Sequence, residues 1–220
     1  MTKVKRLFNN FKPSNYNISL NINEANNTFS GVVNVEGKLS DFSDKLLLHS
    51  KDLEILNINI NGQQTSWQLN NDEIEMALPK NTNINEEIIT TISYNGKITD
   101  GMHGLYPAYF KHNGETKKIF ATQFESHHAR EMFPCVDEPE AKATFDLTVT
   151  TAPDISVLSN QPISWQRVEN NRLVTSFKTT PKMSTYLLAI VAGELVKKSG
   201  KTKDGVEVSV YASVAQNSED

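Results

Sequence analysis

Residues 122–139 concentrate the side chains that could do chemistry: Glu125, His127, His128, Arg130, Glu131, Cys135, Asp137 and Glu138. Carboxylates hold cations or move protons, imidazoles bind metal ions or act as bases, and a thiol attacks once ionised. Spacing limits which of these can act. Adjacent histidines point to opposite faces on a strand and diverge by about 100° on a helix, so His127 and His128 are not expected to share an ion. His127 and Glu131, at i and i+4, could share one. Two ligands fall short of a closed tetrahedral site or a three-ligand catalytic one, so no metal site is expected here. Cys135 would need a base to become a nucleophile. Asp137-Glu138-Pro139 reads as a turn with a capped backbone amide rather than an acid/base pair. Arg130 can pair with one of these acids, and the sequence does not say which.

These residues need a scaffold. Residues 119–124 are apolar and β-favouring, so a strand should deliver Gln123 and Glu125 at its end. Pro134 and Pro139 then fix the backbone on either side of a corner, before Phe145, Leu147 and Val149 alternate as a further strand. Upstream, Tyr16, Ile18, Leu20 and Ile22 alternate, turn at Asn26-Asn27, and are answered by Phe29, Gly31, Val33 and Val35, the pattern of a hairpin. Leu46, Leu47 and Leu48 suit a strand buried on both faces. Asn61-Gly62 is a strong hairpin signal, with Trp67 and Leu69 expected on the returning side. Ile74, Met76 and Leu78 alternate up to Pro79, and Ile88, Thr90, Ile92 and Tyr94 up to Asn95-Gly96. Residues 101–110 break the rhythm, and Tyr106 and Tyr109 are expected to bury their rings there. Further strands are expected at 155–158, 173–177, within the apolar run 186–192, and at Val206, Val208 and Val210. No helical repeat separates the strands, which favours an all-β, antiparallel β-sandwich over a βαβ arrangement.

Several motifs in this order carry a resemblance. Gln123-Phe124-Glu125, Ala129-Arg130, Phe133-Pro134-Cys135, Asp137-Glu138-Pro139 and Pro181-Lys182-Met183-Ser184-Thr185-Tyr186 closely resemble the amino-terminal domain of the aminopeptidase N family of zinc metallopeptidases. Gly104-Leu105-Tyr106 and the opening hairpin are similar to it as well, so the likeness runs over residues 13–211. It implies a saddle-shaped sandwich that lends substrate contacts to an active site built mostly by a following catalytic domain of the same polypeptide. It implies that Glu125 holds the substrate's α-ammonium and that Gln123 faces the pocket for the substrate's first side chain. Cys135 becomes, by the same likeness, a packed small side chain. An α-ammonium has a pKa near 8, and a charge-assisted hydrogen bond to it is worth roughly 1.5–3 kcal/mol, about ten- to a hundredfold in selectivity. The partners implied are peptides with a free amino terminus. The cofactor implied is zinc, bound outside this chain, because the sequence contains no His-Glu-x-x-His. The fragment alone is expected to be inactive.

The remaining numbers narrow the classes. With 220 residues and 38% hydrophobic content the chain can bury a sizeable core, expected as one domain over 1–220 with its core at about 13–211. A net charge of -4 gives no basic stripe for nucleic acid or an anionic membrane. One cysteine cannot form an internal disulfide, and the basic start lacks the apolar segment of a signal peptide, so a cytoplasmic setting is expected. The alternative is a non-catalytic β-sandwich serving as a protein-interaction or binding module.

Overall fold

The computed structural model describes residues 6–41, 43–80 and 82–216. Residues 1–5 of the basic start and 217–220 of the expected domain lie outside them. Among the described residues the first strands are β1 (Phe11–Asn23), β2 (Thr28–Leu39), β3 (Lys45–His49), β4 (Leu53–Ile60), β5 (Gln63–Gln64) and β6 (Trp67–Asn70). Next come β7 (Glu73–Ala77), β8 (Glu87–Lys97), β9 (Gly104–His112), β10 (Glu115–Gln123), β11 (Thr144–Thr151) and β12 (Ser156–Ser159). The last are β13 (Ile163–Glu169), β14 (Arg172–Phe177), β15 (Ile190–Gly193), β16 (Leu195–Lys201) and β17 (Glu207–Ser213). Short 3-10 turns occur at Leu7–Asn9, Ala129–Glu131 and Thr185–Leu187.

An eight-stranded sheet runs in the order β13-β14-β11-β1-β2-β8-β4-β5, beside a four-stranded sheet β12-β15-β10-β9 and a three-stranded sheet β3-β7-β6. The last hairpin, β16-β17, forms a sheet of its own. Alternation in β1 sends Tyr16, Ile18, Leu20 and Ile22 to the buried face and leaves Asn17, Ser19 and Asn21 outside. All three larger sheets feed one continuous core that includes Leu7, Ile58, Met76, Phe120 and Ala192. Each large apolar side chain so enclosed contributes about 1.5–3 kcal/mol from leaving water. The all-β sandwich is therefore as expected.

Several local expectations give way to tertiary packing. β1 pairs parallel with β11, with Tyr16 opposite Phe145, so the large sheet is mixed rather than purely antiparallel. Tyr16 stacks on Phe145 with ring centroids 5.2 Å apart, a contact that this parallel register creates. The Asn61-Gly62 turn forms with both residues at positive φ, but only β5 returns along β4. Trp67 and Leu69 belong instead to β6, which pairs with β7. β8 runs straight through Asn95-Gly96 to Lys97, because Gly96 lies opposite Phe29 and its bare Cα admits that ring. Tyr109 is exposed; its hydroxyl donates to Asp100 (3.4 Å) and accepts from Asn27 (3.3 Å). Of the apolar run at 186–192, Tyr186 and Leu187 belong to the 3-10 turn and only 190–192 enter the sheet, in the four-residue β15. β13 carries no buried residue at all, so no alternation marks it in the sequence. Val206, Val208 and Val210 are exposed, not packed.

Candidate substrate-anchoring site

β10 delivers Gln123 as its last residue, paired with Gly104 at the start of β9. Phe124 is buried just beyond the strand and meets Phe133 edge-on at 6.4 Å. The His128 backbone N–H then donates to the Phe124 carbonyl (2.9 Å), closing a short turn that holds Glu125, Ser126 and His127 outward. The Glu125–Ser126 peptide bond is cis. Gln123 and Glu125 are both exposed, and the Glu125 carboxylate has no ion-pair or hydrogen-bond partner among the described residues. An unpartnered carboxylate presented from a strand end is free to take a cation from solution.

The residues that follow this turn form a buried, hydrogen-bonded corner. Asp137 is fully buried: Arg130 Nε lies 3.1 Å from its Oδ2, and the Arg130 backbone N–H donates to the same oxygen at 3.2 Å. Thr185 Oγ1 donates to its other oxygen (2.8 Å), and the Asp137 backbone N–H donates to His49 Nδ1 (3.0 Å). Glu138 accepts from the Leu7 amide at 2.7 Å, a contact across 131 positions and not a cap within its own turn. The Val136 N–H donates to the Tyr16 hydroxyl (3.0 Å), and Ser184 Oγ donates to the Pro139 carbonyl (2.6 Å). The Asp-Glu-Pro and Pro-Lys-Met-Ser-Thr-Tyr motifs thus meet, the hydroxyls of the second donating to a carbonyl and a carboxylate of the first. Cys135 is buried among them, and burial pushes its thiol well above the ordinary value, so it packs and does not attack.

The histidines sit otherwise than strand or helix geometry suggests. Residues 125–128 form turns, and on that backbone the His127 and His128 rings stack side by side with centroids 4.8 Å apart. It is His128, not His127, that reaches Glu131, with Nδ1 3.0 Å from Oε1. His103, from the segment entering β9, comes to 2.5 Å of Oε2, and Lys51 Nζ lies 3.1 Å from Oε1. Burial raises the Glu131 carboxyl, but the bonds from His128, His103 and Lys51 outweigh it and hold the group below the usual carboxylate value. His103 and Lys51 lie far from Glu131 in sequence, so no local spacing could have joined them. His103 and Glu131 line a cleft of about 710 Å³ that Gln123 and Glu125 do not line.

Residues 12–187 match the Peptidase M1 N-terminal domain. The chain belongs to that family. The M1 N-terminal domain match contains β1 to β14, the Gln123–Glu125 turn and the whole Asp137 corner. Over 218 residues, 97% of this chain, the sequence is 44% identical to an aminopeptidase N of Lactococcus lactis subsp. lactis. It is 37% identical to an aminopeptidase N of Lactobacillus helveticus over 96% of its length. A puromycin-sensitive aminopeptidase of Caenorhabditis elegans is 33% identical over 95%. The chain spans about a quarter of the length of these curated relatives, with shares of 25%, 24% and 23%.

Proposed function

We propose that this M1 N-terminal domain anchors peptide substrates for a zinc-dependent aminopeptidase, with Glu125 holding the α-ammonium and Gln123 facing the first side chain. The observation that carries this reading is the Glu125 carboxylate itself, exposed and without a partner among the described residues, just past the end of β10 on a turn backed by buried Phe124 and Phe133. A surface acid without purpose would more commonly be solvated anywhere on the chain; this one sits in the Gln-Phe-Glu motif, one residue beyond buried Phe124. The names of the relatives, aminopeptidases from bacteria, a plant and a worm, supply the reaction class.

The hydrolytic zinc is assigned to a further domain, since the sequence has no His-Glu-x-x-His motif. Where bound, such an ion supplies Lewis-acid activation of the scissile carbonyl and of water. This chain contributes position: a fixed anion ties the substrate's charged end to one place, so that only a peptide bond one residue away is presented. A cytoplasmic setting fits the single buried thiol. The chain by itself is then inactive on amino-acyl amides. In the polypeptide that joins it to the zinc domain, Glu125→Ala lowers kcat/KM on free-amine substrates about ten- to a hundredfold. Unchanged kinetics, or zinc-dependent turnover by the isolated 220 residues, would refute the assignment.

A further inference from the structure

The substrate-anchoring reading leaves three converging side chains unused. His103 enters from the segment before β9, His128 from the turn after β10, and Glu131 from the 3-10 turn that follows. Both imidazoles aim Nδ1 at the one carboxylate, their rings stack with centroids 4.6 Å apart, and one donor atom from each residue lies within 4.8 Å of the others. Two imidazole nitrogens and a carboxylate oxygen are the donor set preferred by borderline divalent ions of the zinc, nickel, cobalt and copper kind. Three protein ligands also meet the count of an open metal site, which the pair His127 and Glu131 could not.

The supports differ in rigidity, as such a site needs. Glu131 is only 9% exposed, and Gly104, at φ +65, lies against it where a Cβ would come within 2.9 Å of Oε2. His103 and His128 are 41% and 23% exposed, free to turn until each Nδ1 stands about 3.3 Å from the carboxylate oxygen, the separation of two ligands on one tetrahedral ion. The adjoining cleft is lined by the carboxylates of Asp52, Glu54 and Glu131 against one lysine, Lys97, which favours a cation. Lys51 already places one there. Its ammonium sits on Oε1 from a side chain 37% exposed, and can withdraw into solvent.

We propose that His103, His128 and Glu131 bind one divalent transition-metal ion of the zinc class, and that Lys51 occupies the carboxylate when the ion is absent. The site is separate from the hydrolytic zinc, whose motif this sequence does not contain, and its open position faces the cleft. The inference stands independently of the role of Glu125.

The test is calorimetric titration of the metal-free 220-residue chain with Zn²⁺ and, separately, Ni²⁺, with circular dichroism melts to verify the fold of each variant. One equivalent should bind. His103→Ala and His128→Ala should each weaken binding about 100-fold or more, since even outer-shell partners of a metal are worth 10–100-fold. Lys51→Ala should tighten it about two- to fivefold, the size of a partly exposed ion pair, and His127→Ala should leave it unchanged. Absence of saturable binding by the folded wild-type chain overturns the proposal, as does stoichiometric binding that survives His103→Ala and His128→Ala.

Discussion

Arg130 Nε lies 3.1 Å from Oδ2 of Asp137, whose side chain has no exposure at all. With Thr185 on the other oxygen, the carboxylate is satisfied on both sides, and the 130–137 segment is tied to a residue 48 positions further on. Removing one member leaves the other charged and enclosed. Asp137→Ala is expected to lower unfolding free energy by about 3–5 kcal/mol, read as a fall in the urea midpoint at unchanged slope. A loss below about 1 kcal/mol would mean that the corner relaxes to let water reach Arg130.

Gly96 offers a second test of packing. It lies opposite buried Phe29 in the β2–β8 pairing, and a Cβ there would overlap the Phe29 ring. Gly96→Ala should destabilise by about 1–3 kcal/mol although alanine is the better residue for an ordinary strand. The pair Gly96→Ala with Phe29→Leu should recover part of the loss, and thermal melts of the four proteins would show it.

A third prediction concerns acid. Glu75 accepts from Lys45 Nζ (2.9 Å), Gln68 Nε2 (2.8 Å) and Asn70 Nδ2 (3.5 Å), and these bonds, Lys45 first, hold its carboxyl at about 2. A carboxyl depressed in the folded state stabilises above the unfolded value, near 4.3, and that contribution is lost as pH falls toward the folded value. Glu75→Gln should therefore lower the melting temperature at pH 7, with the difference from wild type shrinking below about pH 4.5 and vanishing only below about pH 2. A difference constant across that range would remove the charge from the explanation.

Much of this architecture was legible in the chain because alternation is a local property. Tyr16 to Ile22, Phe29 to Val35 and Leu46 to Leu48 each announce a strand by which residues avoid water, and the structure places them so. What could not be read depends on partners far away. The parallel pairing of β1 with β11 joins residues about 130 positions apart, and Trp67 left its hairpin because β7 was available to it. β13 shows the converse, a strand with no core face and hence no pattern. At the site, Gln123 and Glu125 were found through their motif and both stand exposed, whereas His103 was missed. Its only signal was the break in rhythm around Gly101 and Gly104, which a positive φ at Gly104 explains.

The central claim is that Glu125 recognises charge on the substrate's first nitrogen. The most direct measurement is a cycle in the polypeptide that joins this chain to the zinc domain: wild type and Glu125→Ala, each with an amino-acyl amide and with the analogue lacking the amino group. The account predicts that wild type prefers the amine about ten- to a hundredfold in kcat/KM and that Glu125→Ala loses most of this preference, with the des-amino substrate little affected. Equal losses on both substrates would contradict it, and would leave Glu125 a residue of the turn alone.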